Sequence, residues 1–154
     1  MATVHESISV RAPISTVYNQ WTQFEEFPRF MEGVEHVQQL DDTRLHWVTE
    51  FGGKQHEWEA KIVEQKPDSR IAWQAVDGKD NGGTVTFHSE GPDVTRVDVE
   101  MQYDPEGLVE SLGSKIGSDD RRVKADLERF KELVESRGAE TGAWRGKVEA
   151  GQVR

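Results

Sequence analysis

Apolar and polar residues alternate from Thr3 to Val10, with Val4, Ile8 and Val10 set against His5, Ser7 and Ser9, and Glu6 as the one discordant member. A period of two sends successive side chains to opposite faces, so this stretch predicts a half-buried first strand. Ala12-Pro13 stops it, and Pro13 suits the first turn of a short helix with Ile14, Val17, Tyr18 and Trp21 on its apolar face. Phe24, Phe27, Phe30 and Met31 then recur at helical spacing around Pro28, predicting a second short helix that presents its aromatics to another part of the fold. Six further strands are expected at Val34 to Leu40, Arg44 to Phe51, Lys54 to Glu64, Arg70 to Val76, Thr84 to Ser89 and Thr95 to Tyr103.

Within that run Phe51-Gly52-Gly53-Lys54 is the most informative turn, because two consecutive glycines favour a two-residue hairpin loop that needs positive φ. Pairing Phe51 with Lys54 sets Thr49 opposite His56, Trp47 opposite Trp58 and Leu45 opposite Ala60, all on one face. The other face receives Val48 with Glu57 and His46 with Glu59, so the first set is the one that looks inward.

From Pro105 the spacing becomes helical. Leu108, Leu112 and Ile116, then Val123, Leu127, Phe130 and Val134, fall at intervals of three and four with one gap. Across that gap Asp119 or Asp120 lies on the inward side, and Gly113 and Gly117 thin the same stretch, so the helix either breaks there or borders a space. Residues 138–154 hold four glycines and little periodicity and read as a flexible C-terminal tail with Trp144 as its anchor, leaving 1–137 as the folded domain. The architecture expected is α+β: a seven-stranded, mostly antiparallel sheet wrapped around a long C-terminal helix, with two short helices after strand one.

Composition narrows the function. The apolar fraction of 34% is lean, but five Trp and six Phe make the buried positions large ones. A formal net charge of −10 repels phosphate backbones and anionic headgroups, so no nucleic-acid partner is expected. The absence of Cys removes disulfides, thiolate nucleophiles and sulfur-ligated zinc. No integral membrane segment and no secretory signal is read, which makes a cytoplasmic location the expectation. Histidines 5, 36, 46, 56 and 88 form no pair at ligand spacing, and the glycine pairs 52-53 and 82-83 match no nucleotide fingerprint, so no metal and no cofactor is expected.

Several segments resemble the START-like SRPBCC superfamily: Val10-Arg11-Ala12-Pro13 followed by Val17-Tyr18 and Trp21, Phe24 to Phe30 with Pro28, Trp58-Glu59-Ala60-Lys61-Ile62, Ile71-Ala72-Trp73, and Asp126-Leu127-Glu128-Arg129-Phe130-Lys131. The likeness spans residues 4 to 136 and is nearest to the bacterial polyketide cyclase/dehydrase branch, which includes coenzyme Q-binding START-like proteins; Glu140 to Gly146 looks like one subset of it. The resemblance implies a helix-grip fold with a cavity between sheet and terminal helix. Members range from lipid and quinone carriers to aromatase/cyclases, and where the latter hold a polar, often arginine-containing cavity, the inward face of this hairpin carries no arginine.

The ligand-contacting candidates are Trp47, Thr49, Phe51, His56, Trp58, Trp73, Phe87, Met101, Tyr103, Leu112 and Ile116, chosen by strand parity or helix periodicity. Indole offers a large rigid apolar wall and one donor. His56, Tyr103 and Asp120 are the candidates for acid–base work, histidine because it titrates near neutrality. Against each stands plain packing, a wet rim or a solvated helix face. The expected function is binding or carriage of a small hydrophobic molecule, whether lipid, quinone or polyketide-like. The alternatives are a polyketide aromatase/cyclase or dehydratase, and a protein-binding adaptor that uses the acidic surface and the Trp144 tail.

Overall fold

A computed structural model describes residues 2–31, 34–51, 54–76, 82–103, 118–138 and 140–153, with backbone only at 2, 51, 54, 56, 102, 103 and 118–122. Strand β1 (Ala2–Val10) leads into helix α1 (Ile14–Trp21) and a 3-10 helix (Phe24–Arg29). Six strands follow: β2 (Val34–Gln39), β3 (Arg44–Phe51), β4 (Lys54–Lys66), β5 (Arg70–Ala75), β6 (Gly82–Gly91) and β7 (Val94–Tyr103). Helix α2 (Ser118–Arg137) comes next, then two-residue strands β8 (Val148–Glu149) and β9 (Gln152–Val153). Pro13 sits one residue before α1, in an extended conformation, and not in its first turn.

The seven long strands run antiparallel in the order β1-β7-β6-β5-β4-β3-β2, so sequence neighbours pair except where β1 closes against β7. β3 and β4 pair in the register expected from the glycine turn, Leu45 with Ala60, Trp47 with Trp58 and Thr49 with His56; the loop residues Gly52 and Gly53 lie outside those described. One face of the sheet carries Val10, Val97, Val85, Ile71 and Ile62, all nearly or fully buried. Onto it pack Val17, Tyr18 and Trp21 of α1, Phe24 and Phe27 of the 3-10 helix, and Leu127, Phe130 and Val134 of α2. Gly138, at φ 70°, ends α2 and returns its N–H to the Val134 carbonyl, a conformation that costs glycine little. Among the described residues no helix is long and apolar enough to cross a membrane.

Helix α2 is fastened along β1, the sheet's edge strand. Lys124 and Lys131 donate through Nζ to the carbonyls of Ser7 (3.2 Å) and Ser9 (2.9 Å), occupying acceptors that an open edge would offer to another chain. Glu135 Oε2 accepts from Lys131 Nζ and from the Arg11 amide, both at 2.8 Å. The Lys131 bond, then the Arg11 amide, hold the Glu135 carboxyl below its ordinary value of 4.5. A depressed carboxyl contributes stability that is present above that ordinary value and lost as pH falls through the folded one. Glu135→Gln is therefore expected to shrink the drop in denaturation midpoint between about pH 6 and about pH 3 relative to wild type. An undiminished drop would show that the contact contributes nothing to acid sensitivity.

The tail corrects the expectation of an unstructured segment for residues 140–153. The Thr141 amide donates to Gln20 Oε1 (3.0 Å) and the Trp144 amide to Thr22 Oγ1 (3.1 Å). Arg145 reaches Asn19 Oδ1 (2.6 Å) and Asp68 Oδ2 (2.7 Å), with its guanidinium 5.4 Å from the Tyr18 ring centroid. Val148 is fully buried and pairs with Gln65 of β4, whose amide donates to the Tyr18 hydroxyl at 2.9 Å. These partners are more than 75 positions away in sequence, which is why local periodicity does not reveal them.

Candidate functional site

An apolar cavity of about 170 Å³ lies between the sheet, the 3-10 helix and α2. Each wall follows from a local pattern. Inward parity on β3 and β4 brings Leu45, Trp47, Thr49, Trp58 and Ile62 to the floor, and the Trp47 and Trp58 indoles lie parallel with centroids 6.0 Å apart. β5 and β7 add Trp73, Val99 and Met101. Trp73 lies across Gly83, where a Cβ would stand 2.5 Å from its Cζ2, so only glycine on β6 leaves the indole its place. Phe24, Phe27, Phe30 and Met31 close one side around Pro28, together with Trp21 from α1 and Val34 from β2. Val123, Asp126 and Leu127 of α2 form the roof. An apolar void of about 150 Å³ is enough to hold one aromatic ring, so this space suits a ring-sized occupant or part of a longer one.

Polar groups here are few. Among the described residues neither the Thr49 hydroxyl nor the Trp47 indole N–H has a hydrogen-bond partner, though both are shut away from solvent. A buried unpaired donor or acceptor costs about 1–3 kcal/mol, which makes two in one lining conspicuous. Asp126 is the one ionisable residue among the described lining, and its carboxylate is bonded to the Arg129 guanidinium, whose Nε donates to the Phe30 carbonyl at 2.8 Å. That pair ties α2 to the end of the 3-10 segment. Among the described residues no three His, Asp or Glu side chains are grouped so as to hold a metal ion.

Of the residues singled out from sequence, the structure brings Trp47, Thr49, Trp58, Trp73 and Met101 together around the cavity. Phe87 is placed elsewhere: it faces inward, but at the end of the sheet covered by α1, with its ring 5.3 Å from Tyr18 and 6.3 Å from Trp21. Parity assigns a face and not a position along the strand. The backbones of Phe51, His56 and Tyr103 have the expected places in β3, β4 and β7, and Asp120 lies in the first turn of α2; their side chains, and all of Leu112 and Ile116, lie outside the described residues. The aromatic side wall is not among those candidates, although the spacing from Phe24 to Met31 signals it, and neither is Val99, which shares parity with Met101. Asp126 also stands at inward spacing, three residues after Val123 and four before Phe130, but its charge within a charged stretch reads as a solvated helix face.

Comparison with known proteins fits this architecture. Residues 10–132 match the family described as polyketide cyclase / dehydrase and lipid transport. The chain is 50% identical over 149 residues, 96% of its own length and 99% of the other's, to an uncharacterized 17.2 kDa protein from the melC2-rnhH intergenic region of Streptomyces lincolnensis. Among solved structures, DR_A0006 from Deinococcus radiodurans superposes with a TM-score of 0.70 at 27% identity, over 89% of this chain and 99% of that one. A START superfamily protein from Mycobacterium smegmatis gives 0.64 at 15% identity, over 88% and 95%. The Zhui aromatase/cyclase from Streptomyces sp. R1128 gives 0.68 at 15% identity, over 93% and 99%; likeness at that level is likeness of fold.

Proposed function

Starting from the fact that this chain belongs to the polyketide cyclase/dehydrase and lipid transport family of START-like, helix-grip domains, we propose that it binds and carries a small hydrophobic molecule in the cavity beneath α2. The observation that supports this best is the lining. Parallel indoles, five further aromatic side chains and aliphatic side chains surround a space that the protein's own side chains leave unfilled. Packed interiors rarely leave voids much larger than a water molecule, and an apolar occupant removes the cost of this one without any reactive group.

The rival aromatase/cyclase or dehydratase reading needs a group that moves protons at the cavity wall. Of the described lining residues Asp126 alone ionises, and the Arg129 guanidinium holds its carboxylate. This favours binding over chemistry. The adaptor reading rests on an accessible tail, whereas Trp144 is half-buried against the core, its amide donates to Thr22 just past α1, and its neighbour Arg145 is bonded to Asn19 of α1.

Native mass spectrometry of freshly purified protein, followed by organic extraction, tests the proposal. A stoichiometric apolar adduct that dissociates unchanged is the expected result. Release of a compound chemically altered by the protein would favour the cyclase reading. An unliganded protein that also fails to take up ring-sized apolar probes would defeat cavity binding altogether.

A further inference from the structure

The two unbonded polar atoms in the lining say what the occupant must carry. Thr49 and Trp47 are two residues apart on β3, on its inward face, and both border the cavity. Thr49 is 1% exposed, and neither its Oγ1 nor Trp47 Nε1 has a partner among the described residues. Nearly all buried polar groups in folded proteins are hydrogen-bonded, so a paired exception in a ligand-sized void marks where a ligand's own polar atom belongs. An indole N–H only donates and a threonine hydroxyl can donate or accept, so the missing partner is an acceptor oxygen.

Charge narrows it further. No lysine, arginine or histidine is among the described lining residues, Asp126 contributes a carboxylate to the roof, and the chain's formal net charge is −10. A carboxylate ligand would be desolvated against two neutral donors, with the Arg129 guanidinium already bonded to Asp126 and no cation of the described lining left to pair with it. Resting on the cavity-binding reading, the geometry points to an uncharged, ring-sized ligand with a carbonyl or hydroxyl oxygen at the end lodged against β3, held by Thr49 and Trp47: a ketone, quinone or phenol and not a fatty acid. The apolar remainder lies along Trp58, Trp73 and the phenylalanine wall.

Three probes of one shape separate the possibilities by equilibrium dialysis: acetophenone, ethylbenzene and benzoate. Wild type is expected to bind the ketone at least tenfold more tightly than the carboxylate. Thr49→Val, which exchanges the hydroxyl for a methyl, is expected to weaken ketone binding about tenfold, leave the hydrocarbon unchanged, and raise the thermal midpoint of the ligand-free protein, because a buried unpaired hydroxyl has gone. Thr49→Ser keeps the ketone affinity. A carboxylate that binds best, a Thr49→Val variant that loses ketone and hydrocarbon affinity equally or neither, or a lowered midpoint showing that the hydroxyl already had a partner, would each overturn the assignment while leaving cavity binding intact. Failure of all three probes to bind wild type would remove the cavity-binding reading itself, and this assignment with it.

Discussion

Val99→Phe is expected to lower the affinity for a ring-sized apolar ligand about a hundredfold while the protein stays folded. Val99 is 4% exposed on the inward face of β7, opposite Glu6 of β1 and Val85 of β6, and borders the cavity. Phenylalanine adds four carbons at that point. If these take the place of ligand carbons, about 0.8 kcal/mol of burial is lost for each, some 3 kcal/mol in all, which is about two orders of magnitude in Kd. In a close-packed interior the same change would cost about 1–3 kcal/mol of strain. Beside a void of about 170 Å³ the ring has room, so the thermal midpoint should shift little. Equilibrium dialysis of acetophenone against variant and wild type reads the first effect, and a melting curve the second. Unchanged affinity together with a large loss of stability would mean that the space near Val99 is not where ligand sits.

Which parts of this molecule its sequence announces follows from the range of each interaction. The β3–β4 register is legible because a Gly-Gly pair in the sequence implies a two-residue turn, and alternation then assigns the strand residues from Leu45 to Ala60 to their faces, as the pairs Leu45 with Ala60 and Trp47 with Trp58 bear out. The same alternation brings Trp47, Thr49, Trp58, Trp73 and Met101 to one cavity. It misplaces Phe87, because the boundary between packed core and open space is drawn by Tyr18 and Trp21 of α1, and no local period encodes how far α1 reaches along β6. The C-terminal segment is hidden for a related reason. Its order comes from single polar contacts, Arg145 with Asn19 and Asp68 and the Thr141 amide with Gln20, each to a partner brought near only by the completed fold. Asp126 is hidden by its neighbours: a carboxylate in the run from Lys124 to Arg129 reads as a solvated helix face until Phe30 is seen to take the Arg129 Nε–H.

Phe130→Ala is expected to destabilise the protein by about 4 kcal/mol, within the usual range of about 3–5 for a buried phenylalanine. Phe130 is fully buried on α2, its ring 4.9 Å from Trp21 at 73° and 5.1 Å from Phe30 at 60°. Edge-to-face partners of this kind add to the burial itself. For a chain of this size such a loss lowers the thermal midpoint by roughly 8–16 °C. Phe130→Leu should retain most of the stability, since it keeps apolar volume under the helix. The two rings that Phe130 supports are themselves cavity walls, so the alanine variant should also let Trp21 and Phe30 move back and open the space behind them. A probe one ring larger, 2-acetylnaphthalene, is then expected to gain affinity relative to acetophenone, read as the ratio of the two dissociation constants in variant and wild type. A loss under about 1.5 kcal/mol with no change in that ratio would show that the walls collapse into the vacancy, and that the cavity's shape is set by the sheet and not by the ring beneath α2.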